Sequence, residues 1–107
     1  MKILMLILFI LTASFAQAKT QVKPLVEITA TSTASIGLSA NHNRNYLLIQ
    51  NLGPDDVYLK FISAPTGTDG IKIPLGGNYE AYEAPINAFY VITPSSTADL
   101  KIYEGEN

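Results

Sequence analysis

The 107-residue chain has no cysteine and a single histidine, His42. Without cysteine there is no disulfide framework, no thiolate metal site and no cysteine nucleophile. With one histidine no multi-histidine metal centre can be built. Blue-copper and copper-zinc dismutase-like centres, both built on β-sandwiches, are therefore excluded. His42 itself lies in a polar, Asn-rich turn, where a solvated imidazole is the ordinary reading. Charge is also sparse, at 15% of residues, and Arg44 is the one arginine. After residue 18, nine acidic residues stand against six basic ones, so nucleic-acid binding lacks its electrostatic footing. So short a chain has little room for a second domain.

The usual catalytic sets are missing as well. No G-x-S-x-G elbow occurs, and His42 would be the only base for any serine nucleophile. Glu80 and Glu83 come nearest to a glycosidase pair, but three positions apart on a strand they point to opposite faces. Gly76-Gly77 reads as a hairpin turn and not as a phosphate cradle. The expectation is a non-enzyme without a cofactor. Calcium is the one metal for which ligands are on offer, through Asp55, Asp56 and Asp69 with backbone carbonyls. Those aspartates match no ligand spacing, and Asp is equally a standard turn residue.

What the chain does have is 48% apolar residues, unevenly spread. Fourteen of them fall in residues 1–18, while every glycine, proline and tyrosine lies beyond. Met1-Lys2, the apolar run from Ile3 to Leu11 and the A-x-A pattern Ala16-Gln17-Ala18 predict a signal peptide cleaved after Ala18. The alternative is a membrane anchor over residues 3–18, but its apolar stretch of about 14 residues falls short of the ~20 a helix needs. A lipoprotein anchor is out, since no cysteine marks the junction. The mature chain, 19–107, is therefore expected to be periplasmic, extracellular or on a virion surface.

No helical stripe appears after residue 19. Apolar residues alternate or cluster in short runs cut by turn residues. Predicted strands cover 25–31, 34–40, 46–51, 57–61, 71–75, 79–83, 86–93 and 98–103. Ala34, Ile36, Leu38 and Ala40 are expected to share one face, and 57–61 to pair back on 46–51 as a hairpin. The last strand alternates cleanly, with Ala98, Leu100 and Ile102 inward and Asp99, Lys101 and Tyr103 outward. Seven or eight short strands make an all-β fold: an antiparallel β-sandwich, jelly-roll or immunoglobulin-like, with a small β-barrel as the alternative. Residues 19–24 are expected to be a loose N-terminal arm.

Four runs in this strand pattern carry a resemblance: Arg44-Asn45-Tyr46-Leu47-Leu48-Ile49-Gln50-Asn51-Leu52-Gly53, Val57-Tyr58-Leu59-Lys60-Phe61, Gly70 to Glu80, and Ala98 to Glu104. Over residues 40–105 the chain resembles small β-rich proteins of tailed phages and prophages, described as virion-structural or uncharacterised. The resemblance implies a structural protein and carries no catalytic residues. Such phage proteins are assembled in the cytoplasm without a signal peptide, so residues 2–18 depart from the pattern.

Two functions are consistent with these residues. The first is an exported, non-enzymatic structural or interaction protein, a virion surface component among the options, with a protein partner or self-association. Its contacts are expected at the strand edge near Ile71–Leu75 or at the arm, Lys19–Pro24. The second is a carbohydrate-binding module using the tyrosines Tyr58, Tyr79, Tyr82 and Tyr103, which can stack on sugar rings. No nucleic acid is expected as partner, and membrane contact only through the signal segment if it is retained.

Overall fold

The computed structural model describes residues 19–107, so the predicted signal segment and its cleavage after Ala18 lie outside the described residues. Nine strands follow one another: β1 Gln21–Val22, β2 Val26–Ala30, β3 Ser35–Leu38, β4 Arg44–Pro54, β5 Val57–Phe61, β6 Ile71–Ile73, β7 Asn78–Tyr82, β8 Phe89–Ile92 and β9 Ala98–Glu106. They form two antiparallel sheets. The first runs β1-β9-β4-β7, with β2 also on β9, and the second runs β3-β8-β5-β6. Both sheets are open, so the barrel alternative gives way to the sandwich.

The pairing has a simple rule. β2 pairs with β9, β3 with β8, β4 with β7 and β5 with β6, so the chain is one long antiparallel hairpin rolled into two sheets. That is the jelly-roll order, and it decides against the immunoglobulin option. The alternation expected for β9 holds: Ala98, Leu100 and Ile102 are buried and Asp99 is exposed. Val57 and Leu59 of β5 also point inward, with Tyr58 and Lys60 on the other face. Leu47, Ile49, Leu100 and Ile102 of the first sheet meet Val57, Leu59, Ile73, Phe89 and Val91 of the second. Each such side chain withdrawn from water contributes about 1.5–3 kcal/mol before chain entropy is counted.

Several expectations need correction. The stretch 57–61 does not form a hairpin with 46–51, because β4 and β5 lie in different sheets. The turn Gly76-Gly77 is likewise a crossover from β6 in the second sheet to β7 in the first. Ile36 and Leu38 do not share a face: a register shift falls between them, and Ile36 is left exposed. Residues 19–24 are not a loose arm throughout, since β1 pairs with the end of β9, Gln21 opposite Glu106 and Val22 opposite Gly105.

Asn51 explains the first crossover. Its Nδ2 donates to the carbonyls of Asp55 and Ile73 at 2.9 and 3.0 Å, and its Oδ1 accepts from the Gly53 N–H at 2.8 Å. One buried amide thereby ties the end of β4 to the corner and to β6. Gly53 sits at φ +84°, a left-handed conformation that favours glycine. Replacing Asn51 with Ala leaves two carbonyls without a donor. We expect a loss of about 2 kcal/mol, read as a lower urea midpoint.

Candidate functional site

Register places a tyrosine-rich strip on the outer face of the first sheet. Tyr46 of β4 lies opposite Tyr82 of β7 on one side and Gly105 of β9 on the other, and Leu48 lies between Glu80 and Tyr103. Side chains two apart on a strand share a face, so Tyr46, Leu48, Tyr82 and Tyr103 all look outward. The Tyr46 and Tyr82 rings are 5.4 Å apart and tilted by 57°. Tyr46 Oη donates to Glu80 Oε2 at 2.6 Å. That hydrogen bond to a carboxylate, helped by burial, pushes the Tyr46 hydroxyl up to about 12. Tyr82 is 76% exposed and Val22 of the arm 64%. An open cleft of about 620 Å³ is lined by Thr20, Val22, Asn45, Tyr46, Tyr82 and Glu83 among others.

The four tyrosines singled out from sequence occupy three different places. Tyr82 and Tyr103 share the outer face just described. Tyr58 lies opposite Lys72 on the outer face of the second sheet. Tyr79 points inward, packed on the core with its ring 6.3 Å from Phe61. Tyr46 was not singled out, because the run Tyr46–Gln50 reads as a strand with hardly any polar face. Its cross-strand partner Tyr82 is the missing signal, and register is not visible in composition.

Each aspartate considered for calcium is already engaged by donors of the protein itself. Asp55 accepts from the Ser96 and Ser95 N–H groups at 3.0 and 3.2 Å. The backbone donation from Ser96 holds its carboxyl below the usual range. Asp56 accepts from the Leu75 N–H and pairs with Lys72 at 3.6 Å. Asp69 meets Lys60 Nζ at 2.9 Å and accepts from the Thr66 N–H, and the Lys60 contact above all keeps its carboxyl low. Among the described residues no group of three His, Cys, Asp or Glu side chains converges to hold a metal.

A buried ion pair, not anticipated from sequence, braces the end of the sandwich beside the arm. Arg44 is 3% exposed, and its Nε donates to Glu104 Oε2. Three more of its N–H groups donate to the carbonyls of Pro85, Asn87 and Ser39, each at 2.8 Å. One guanidinium thus fastens β4, β9, the loop before β4 and the loop before β8, and it lies 5.9 Å above the Phe89 ring. Burial is the largest single influence and works against the Glu104 charge, but hydrogen bonds from Arg44 and Asn41 and the charges of Arg44 and Lys23 together outweigh it, and the carboxyl stays below its ordinary range. With four of its five N–H donors engaged and its side chain buried, Arg44 is a structural clamp.

The arm is seated beside this clamp. The Lys23 N–H donates to the Glu104 carbonyl at 2.8 Å, and Lys23 Nζ reaches Glu104 Oε1 at 3.4 Å. Asn45 Nδ2 donates to Thr20 Oγ1 at 2.9 Å and to Asn107 Oδ1 at 2.6 Å. The exposed tyrosines, the cleft and the arm therefore meet at one end of the first sheet.

No family model and no curated protein matches this sequence. A solved structure of Bacillus endospore appendages, described as a novel family of disulfide-linked pili, matches in fold. The TM-score is 0.51 at 16% identity, covering 86% of this chain and 91% of that one. At such identity the likeness is one of fold. Among the described residues no helix is long and apolar enough to cross a membrane.

Proposed function

We propose that this chain is a non-catalytic structural subunit, exported and assembled with copies of itself into a surface or particle structure. The fold likeness to an appendage subunit, over nearly the whole of both chains, is the observation that carries this reading. The phage-like residues of 44–104 point to the same kind of role, a repeated building block, whether in a virion or in a surface fibre. The absent cysteines set one condition: the disulfide linkage in that family's description is closed to this chain, so its copies meet through non-covalent contacts. For a carbohydrate-binding module the four tyrosines are poorly placed: Tyr82 and Tyr103 share one face, Tyr58 lies on the other sheet and Tyr79 packs on the core.

The test is assembly of the mature chain, residues 19–107, followed by sedimentation and electron microscopy. Ordered multimers that persist in dithiothreitol are expected, as is recovery of the chain from sheared surface or particle fractions. A protein that stays monomeric at the highest attainable concentration, and is absent from those fractions, would overturn the reading.

A further inference from the structure

We infer that the β1 arm is exchanged between copies, so that Thr20–Lys23 of one chain occupies the seat along β9 of another. The inference rests on the reading of the chain as a self-assembling subunit and supplies its contact. β1 is two residues long and both are exposed, so little core packing holds it to its own body. Pro24 and Leu25, which join it to β2, are exposed as well. Short connections of this kind are where strand exchange between identical chains has a low cost. With cleavage after Ala18 the arm would begin at Lys19 as a free end, able to leave and enter a seat without threading.

The seat is shaped to take a strand. Gly105 lies opposite Val22, and a Cβ at Gly105 would come within 2.8 Å of Thr20 Cγ2 and 2.9 Å of Tyr46 Cβ. The missing side chain is what allows the arm to lie close across β9. The polar contacts are equally specific: β9 offers the Glu104 carbonyl and carboxylate to Lys23, and Asn45 offers its amide to Thr20. Charges complement each other too, with Lys19 and Lys23 on the arm and Glu104 and Glu106 along the seat. Because every copy carries the same arm and the same seat, complementarity between copies is already realised within each one. An arm given to a neighbour keeps all of these bonds and joins two bodies.

The register supplies a reversible test. Gln21 and Glu106 are directly opposed, and facing residues in an antiparallel ladder have Cα atoms about 4.5–5.5 Å apart. That separation falls within the range of about 4.4–6.8 Å that a disulfide spans. The chain has no cysteine of its own, so introduced thiols find no other partner within it. In the double variant Gln21→Cys/Glu106→Cys, oxidation of the monomer should fasten the arm to its own body. Assembly should then be lost and should return in dithiothreitol, which also shows that the variant folds. Oxidised double variant that assembles like the parent overturns arm exchange and leaves the subunit reading intact. A parent that never assembles overturns the subunit reading instead. Mixing Gln21→Cys chains with Glu106→Cys chains should give disulfide-linked heterodimers under oxidation. If each variant pairs only with itself, the exchange is overturned whether or not larger particles form.

Discussion

Replacing Arg44 with Leu should cost about 3–5 kcal/mol and bring the urea midpoint down accordingly, because it leaves the buried Glu104 carboxylate with only the partly exposed Lys23 beside it. The loss goes beyond one ion pair. The carbonyls of Ser39, Pro85 and Asn87 lose their donors in the same step, and each sits in a loop that the guanidinium ties to the sheet. For that reason an apolar replacement of both partners, Arg44→Leu with Glu104→Leu, should recover only part of the stability. Arg44→Lys should also fall well short of the parent, since a single ammonium cannot reach acceptors spread around a planar fork. Glu104→Gln should be milder, as a Gln oxygen can still accept from Nε.

The pH dependence has a definite sign. The native Glu104 carboxyl lies below its ordinary 4.5, so its stabilisation is complete above about that pH and is lost as pH falls through the lower native value. The parent should therefore weaken on acidification below about pH 4.5, and Glu104→Gln should flatten this part of the profile. Asp55 and Asp69 are also held low, but both stay in place in Glu104→Gln, so its contrast with the parent isolates the buried group. A profile for Glu104→Gln as steep as the parent's would remove the clamp from the explanation.

The strands that were legible in sequence are those with one wet and one dry face. β9 and β5 alternate every second residue, and their inward sets are the buried ones observed. Less legible was where the chain changes sheet. Gly53-Pro54 and Gly76-Gly77 have the composition of hairpin turns, and only the contacts of Asn51 with Asp55, Ile73, Gly76 and Gly77 make the corners what they are. Alternation separates Tyr79 from Tyr82 but cannot say which of them faces the core. The arm looked loose because Thr20–Lys23 has no apolar run, and its partner lies at the far end of the chain. Arg44 and Glu104 stand at the two ends of the phage-like pattern, sixty residues apart, yet nothing local to either predicts that they meet.

Phe89 is the residue on which the clamp and the hydrophobic core converge, and its truncation to Ala should cost about 3–5 kcal/mol. Its ring is fully buried, meets Phe61 edge-on at 5.8 Å and lies beneath the Arg44 guanidinium. A third neighbour is the backbone of Gly37, at the register shift in β3. A Cβ at position 37 would fall 2.1 Å from Phe89 Cε2 and 2.6 Å from Cδ2, so glycine there is space left for the ring. The ring has no free direction of retreat, being held by Phe61 and Arg44. Gly37→Ala should therefore destabilise by about 1–3 kcal/mol through overpacking. The two defects have opposite signs of volume, one removing a ring and the other adding a methyl. Gly37→Ala combined with Phe89→Leu should then be more stable than the two single losses added together, with a coupling of about 0.5–3 kcal/mol in a double-mutant cycle. Strict additivity would mean that the β3 irregularity serves something other than the Phe89 ring, and that β3 reaches β8 by hydrogen bonding alone.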